Sequence, residues 1–317
     1  MHVLSFFIQL GLYAFTTAVL LSRFVPRLRY LLQYGKTLKS FTPAAYNSPA
    51  SKSLIDSALD AILKPLIITV PKRWFTHFYI LGLSMSAASC VMLYLCHTST
   101  VTVPFRCLVY MDGLLAKRLA WLLAADHSLF VNVVDVNVSY TRAMAATIIV
   151  TVQCSRRLFE CIFVEKLSKT ARMRVGHYIV GLLVYVATTC ASWSDALEST
   201  LAGGNDSDTV PKIAVIIYLL AAFAQYTAHD QLARLKKYSP PPSTMLFKYL
   251  ICPHYLAEVA IYLAVAWICG FTSANVSVLV WTAVNLGASA EQSRKFYVEK
   301  FGESVVEGKW NLIPFVF

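Results

Sequence analysis

Apolar runs of about 20 residues recur along this chain, and a run of that length crosses a bilayer when it folds as a helix. They lie near residues 3–22, 76–97, 141–163, 176–194, 211–229, 249–270 and 272–291. The pattern predicts an all-α, polytopic integral membrane protein with about seven transmembrane helices. A further stretch, about 105–125, has its apolar stripes broken by Arg106, Asp112, Lys117 and Arg118 and reads as interfacial or re-entrant. Residues 41–69 are rich in Ser, Ala and Pro, with an amphipathic stretch at 53–64, which predicts a loop and a surface helix. The first 22 residues have no basic region ahead of the apolar run and no small-residue cleavage site after it. That run is expected to be a retained helix and not a cleaved signal.

Composition agrees with the pattern. At 57% hydrophobic and 14% charged residues, with a mean hydropathy of +0.57, the 317-residue chain is too apolar for an ordinary soluble domain. The 28 Lys and Arg outnumber the 17 Asp and Glu, and their distribution is sided. With the first helix starting in the lumen, the cytosolic segments are 23–75, 164–175, 230–248 and the tail from 292. They hold nine, four, four and four basic residues, 21 of the 28. The positive-inside rule therefore supports this orientation, with a cytosolic C-terminus, and the excess charge marks topology, not a nucleic-acid partner. The opposite loop 195–210 has only acidic charges and a sequon at Asn205, and a second sequon at Asn137 falls on the same side. A third, at Asn275, sits too close to the membrane to carry weight. The eight cysteines show no C-x-x-C and lie mostly in apolar runs, so they read as small hydrophobes. The chain is read as one membrane domain, 1–317. The first helix and a cytosolic loop occupy 1–75, helices two to five occupy 76–229 with a lumenal segment 98–140, and the C-terminal region is 230–317.

Polar residues inside such spans are the candidate chemistry, since a buried carboxylate or guanidinium needs a partner or a wet cavity. Arg157 and Glu160, Gln225 and His229, His254 and Glu258, and Arg294 and Tyr297 are spaced three or four apart, so each pair shows one helical face. In the predicted topology all four pairs fall toward the cytosolic ends of their spans, which predicts a single wet cavity there. His77 and Tyr79, at the start of the second span, would border it. Singly, each has a plainer reading: snorkelling arginines, core histidines, interfacial tyrosines. Glu258 is the hardest to explain that way, because a structural carboxylate still needs a buried partner. The glycines form no dinucleotide-binding or Walker loop, no cluster has zinc spacing, and no nucleophile elbow is present; no metal is predicted. An anionic cofactor held by scattered Arg, Lys and His stays open.

The sequence resembles the steroid 5-alpha-reductase family, in its polyprenol (polyprenal) reductase branch. The blocks that carry the resemblance are Tyr34 to Thr37 (YGKT), Val70 to Tyr79 (VPKRWFTHFY), Arg156 to Cys161 (RRLFEC), Gln225-Tyr226-x-x-His229 through Lys236-Lys237-Tyr238, Pro253 to Glu258 (PHYLAE), Phe296-Tyr297 with Lys300-Phe301, and Ile313 to Phe317 (IPFVF). They span nearly the whole chain in order. Two places depart: Ser293-Arg294-Lys295 where a His is usual before the basic-aromatic-Tyr run, and Gly308-Lys309-Trp310 where an Arg-Lys pair is usual. Segment 98–140 has no counterpart. The resemblance implies a seven-helix endoplasmic-reticulum enzyme that uses NADPH to saturate the α-isoprene unit of a long polyprenyl lipid for dolichol synthesis, with 230–317 as its reductase region. It implies that Arg157, Gln225, His229, Lys236, His254 and Tyr297 line the cofactor, that Glu258 holds the pocket and that Arg294 meets a phosphate.

Hydride adds readily to a carbon–carbon double bond only when a conjugated group accepts the charge, so the aldehyde polyprenal is a better immediate substrate than the alcohol. The site then needs a donor to the aldehyde oxygen and a proton source. His77, Tyr79 and Glu160 are the candidates. The competing expectations are a steroid 3-oxo-5-alpha reductase, a prenyl-group methyltransferase and a transporter; the last should show repeat symmetry, which is absent. No protein partner is predicted.

Overall fold

The computed structural model describes residues 3–24, 68–101, 106–107, 110, 114, 138–166, 170–203, 208–236 and 239–316. The readings at Tyr34 to Thr37, at 53–64, over most of 105–125, and the sequons at Asn137 and Asn205 lie outside the described residues.

Among the described residues there are seven long helices: α1 (Val3–Leu21), α2 (Phe75–His97), α3 (Tyr140–Phe159), α4 (Val175–Ala191), α5 (Lys212–Arg234), α6 (Pro253–Ile268) and α7 (Ser273–Phe301). By length and composition α1, α2, α5 and the run Val175–Ala202 that begins with α4 are each able to cross a membrane, and α6 is a shorter apolar helix. The protein is an all-α, multi-pass membrane protein. Local chemistry sets several boundaries. Ser139 caps α3 by accepting from the Arg142 amide at 3.3 Å, Thr272 caps α7 by accepting from that of Asn275, and Pro253 occupies the first turn of α6, where its missing N–H costs nothing.

The helices pair as α5 on α6, α2 on α3, and α1 on α7, with α6 also against α7 and α2 against α4. The largest core lies between α3, α5 and α6, where Ala146, Ala214, Ala221 and Ala264 let backbones approach around Ile149, Ile261, Val265 and Ile268. A second core joins Ile8, Leu12 and Val19 of α1 to Val278 and Trp281 of α7. At one end of the bundle, buried polar ties lock the helices. The Thr147 and Ser192 hydroxyls bond at 2.9 Å, and the Asn275 amide donates to the Ala191 carbonyl at 2.8 Å. Asn275 is thus spent inside the fold, 4% exposed, and its sequon is no glycan acceptor in this state.

At the other end a short antiparallel ribbon, β1 (Thr69–Pro71) with β2 (Arg172–Arg174), pairs Val70 with Met173 and brings the starts of α2 and α4 side by side. The ribbon is not visible in the apolar pattern, because three residues are too short to show a period. The chain after α7 returns to the same end. Trp310 bridges Leu250, with the Ile251 amide donating to the Trp310 carbonyl at 2.9 Å, just ahead of α6. Arg294 fastens this return, donating to the carbonyls of Lys309 at 2.7 Å and Val306 at 3.3 Å and to the Asn311 side chain at 3.5 Å. Arg294→Ala should therefore cost about 1–3 kcal/mol and speed cleavage of the tail after Gly302 in limited proteolysis in detergent. An unchanged cleavage rate would show that the tail is held without the guanidinium.

Candidate active site

The ribbon end of the bundle gathers the ends of α3 and α5 with the starts of α2 and α6. There α3 runs into a π-helical turn, Glu160–Val164, and the Glu165 amide donates to the Glu160 carbonyl five residues back at 2.8 Å. In an unbroken α-helix a residue eight positions beyond Arg157 would sit about 80° round the axis. The extra residue of the π-turn removes most of that offset and puts Glu165 on the face of Arg157.

Arg157, 8% exposed, donates to Glu160, to Glu165 at 2.9 Å and to the Tyr79 hydroxyl oxygen at 3.0 Å. Its guanidinium lies 5.0 Å from the centre of the Tyr79 ring, a cation over a π-face. Glu160 is fully buried and also meets Arg156 and, at 2.6 Å, the Nδ1 of His229. The same nitrogen lies 2.7 Å from Arg157. Because a guanidinium has no acceptor, a proton on Nδ1 belongs to the Glu160 contact. Glu165 lies beyond the helix. Burial works to raise its pKa, but the Arg157 charge and hydrogen bond hold it below the usual carboxylate range.

A second layer runs from α3 to α6. Gln153 donates to the Gln225 side-chain oxygen at 3.0 Å, Arg156 donates to the same oxygen, and the Gln225 amide nitrogen donates to Glu258. The amide dipole thus lies with its oxygen toward the cation and its N–H toward the carboxylate. His254 lies beside His229, the rings tilted with centres 5.4 Å apart.

These groups form one wall of a cavity of about 770 Å³, within the range of small-molecule sites. Arg157, Gln225, His229, His254 and Glu258 line the polar wall, with Glu165, Lys166, Lys72 and His177 beside them. The facing wall comes from α1, α4 and α7 and includes Phe15, Val180, Val184, Trp281 and Leu286. Tyr79 and Tyr185, ring centres 5.4 Å apart in an edge-to-face contact, stand where the two walls meet. Glu160, Glu165 and His229 also bring donor atoms within 4.8 Å of one another, a grouping able to hold a metal ion. The Arg157 guanidinium touches all three, so the positive charge they require is already supplied by the chain.

Residues 177–317 match the family profile described as 3-oxo-5-alpha-steroid 4-dehydrogenase. Over these residues the chain is similar to the steroid 5-alpha-reductase family. The matched region holds α5, α6, α7 and the returning tail, and so Gln225, His229, His254 and Glu258; Tyr79 and Arg157 fall before it. Curated relatives cover those as well. A polyprenal reductase of Saccharomyces cerevisiae is 28% identical over 285 residues, 90% of this chain and 85% of its own. Polyprenal reductase 1 of Oryza sativa subsp. indica is 24% identical over 327 residues, 89% of this chain and 86% of its own. A polyprenal reductase of Drosophila melanogaster is 26% identical over 274 residues, 80% of this chain and 78% of its own.

Of the eleven residues singled out from the sequence, six line the cavity: Tyr79, Arg157, Gln225, His229, His254 and Glu258. Glu160 stands behind Arg157 as its counter-ion. His77 is exposed, with Nδ1 2.9 Å from the Tyr178 hydroxyl, outside the cavity lining. Lys236 is exposed one residue beyond Leu235, which does line it. Arg294 holds the tail, and Tyr297 is packed with Ile251, Cys252 and Leu312; α7 offers Trp281, Thr282, Asn285 and Leu286 to the cavity instead. Glu165, Lys72, Lys166 and Tyr185 escaped sequence reasoning. Glu165 has helical spacing to Arg157 only because of the π-turn. Gln153, four residues before Arg157, was accessible to the spacing rule. Glu160→Gln should cost about 3–5 kcal/mol, seen in thermal unfolding in detergent, because it strips Arg156, Arg157 and His229 of their shared carboxylate. A loss under about 1 kcal/mol, the range of a surface pair, would mean that the arginines have other counter-charges.

Proposed function

We propose that this protein is an NADPH-dependent reductase that saturates the α-isoprene double bond of polyprenal, a step toward dolichol and so toward protein N-glycosylation. Its place would be the endoplasmic-reticulum membrane, with the cavity and the C-terminus on the cytosolic side, where the basic segments fall. The relatives named polyprenal reductase support the substrate class. The observation that carries the chemistry is the Tyr79 hydroxyl at the seam of a polar and an apolar wall, accepting from Arg157.

The donor set fits a dinucleotide phosphate: Lys72 and Lys166 offer cationic donors beside Arg157 and Gln225, and Glu258, His229 and His254 offer the mixed donors and acceptors that an amide or ribose needs. NADPH, when bound, supplies the hydride for the carbon β to the aldehyde. The chain has to stabilise the charge that then reaches the aldehyde oxygen until a proton, supplied from water, reaches the α carbon and completes the saturation. Arg157 occupies a lone pair of the Tyr79 oxygen and polarises its O–H, whose proton is left to donate to that oxygen. Glu160 and Glu165 keep the guanidinium aimed at Tyr79, and Glu160 is a positioning residue. The apolar wall suits an isoprenoid chain. Ile179 and Leu183 of α4, 44% and 49% exposed, and Phe15 and Ala18 of α1 extend this apolar lining.

Purified protein should oxidise NADPH in the presence of polyprenal and leave a steroid enone untouched. NADPH should raise its thermal unfolding midpoint and S-adenosylmethionine should not. Turnover of the steroid alone, or protection by S-adenosylmethionine alone, would reverse the reading; rescue of underglycosylation in a reductase-deficient strain tests it in cells. Tyr79→Phe should lower kcat by about 10²–10³ while the KM for polyprenal changes little, and undiminished turnover would remove Tyr79 from the chemistry.

A further inference from the structure

α2 and α4 both start at the ribbon and run in parallel, and they meet through an exchange of rings and glycines. Phe78 and Gly82 are one turn apart on α2; Gly181 and Tyr185 are one turn apart on α4. The ring of Phe78 sits over Gly181, where an added Cβ would come within 2.6 Å of its Cζ. The ring of Tyr185 sits over Gly82, where a Cβ would come within 2.8 Å of its Cδ1 and within 2.8 Å of the Cys154 sulfur. A Cβ at either place would force the facing ring to shift. Phe78, 3% exposed, is packed by Phe75 at 4.9 Å, Tyr178 at 5.5 Å and Tyr185 at 6.2 Å between ring centres, with Val70 and Met173 beneath. Phe78, Gly181 and Tyr185 all line the cavity. Among the described residues, a ring pushed off Gly181 is hemmed by these neighbours and has the cavity open to it.

We propose that Gly181 is a specificity-determining residue: by receiving the Phe78 ring between α2 and α4 it holds that ring back and sets the bore open to a branched isoprenoid beside Tyr79. The inference rests on the reductase reading and deepens it. A methyl at position 181 would narrow the lipid half of the cavity and leave the polar wall on α3, α5 and α6 unaltered. The step is steric, so the ring that causes the obstruction should also relieve it when shortened.

The test uses full-length protein in detergent or nanodiscs, with KM for polyprenal from NADPH oxidation and the Kd of NADPH from fluorescence. Gly181→Ala should raise the KM for polyprenal about tenfold or more and leave the Kd of NADPH within about twofold. Adding Phe78→Leu to Gly181→Ala should bring the KM back toward that of the unmodified protein. Phe78→Trp, which overfills the socket from the other helix, should raise the KM in the same way and serves if Gly181→Ala does not fold. An unaltered KM in folded Gly181→Ala, a raised KM that Phe78→Leu does not relieve, or an equal loss of NADPH binding would each overturn the proposal while the reductase reading stands. Failure of the unmodified protein to reduce polyprenal would overturn both.

Discussion

A guanidinium keeps its proton under any condition a cell offers, so Arg157, once carried into the bundle, has to be answered by other groups. It is answered by Tyr79 from α2 and by Glu160 and Glu165 around the π-turn, with Glu160 tied in turn to His229 of α5. None of these contacts can form unless α2, α3 and α5 meet at one depth. The charge is thus a constraint on helix register as well as a feature of the site. Gln225 extends the same constraint to α6, since its amide takes Gln153 and Arg156 on one side and Glu258 on the other.

The cavity follows from the way the helices divide. Those with polar residues on their inner faces, α3, α5 and α6, pack on one another through small residues and present their charged ends together. α1, α4 and α7 close the other side mainly with aliphatic and aromatic groups, together with Thr282 and Asn285. A space bounded by both kinds of wall suits a reaction in which a water-soluble reductant meets a membrane lipid. Tyr79 stands at the seam because the ribbon fixes where α2 begins, and Tyr185 braces it because Gly82 admits that ring. The same small-residue packing that joins membrane helices elsewhere here shapes the ligand space.

Much of this was legible beforehand. The seven apolar runs fall on the seven helices, and differences sit at the ends. α5 continues to Arg234 and α7 to Phe301, past the apolar stretch, because amphipathic turns go on burying a face after the membrane-like composition stops. α6 begins at Pro253, later than hydropathy indicates, because residues 249–251 are used in bonds to Trp310. In the site, spacing by three and four located Arg157 with Glu160, Gln225 with His229 and His254 with Glu258. The same rule paired Arg294 with Tyr297, whose shared face meets the returning tail. Helical spacing tells which residues share a face and is silent on what that face meets. Glu165 was hidden for the converse reason: its alignment depends on one extra residue per turn, which leaves no mark in a hydropathy pattern.

From its sequence alone the chain is a multi-pass helical membrane protein with polar pairs near one end of several spans, since both properties depend only on local spacing and on the cost of placing backbone and charge in lipid. Which pairs converge, that Glu160 stands behind Arg157, that Arg294 serves the tail, and that two glycines make room for two rings were decided by tertiary packing. Those facts depend on the rotation of each helix about its axis and on contacts between residues far apart in the chain, and no periodicity within a single segment records either.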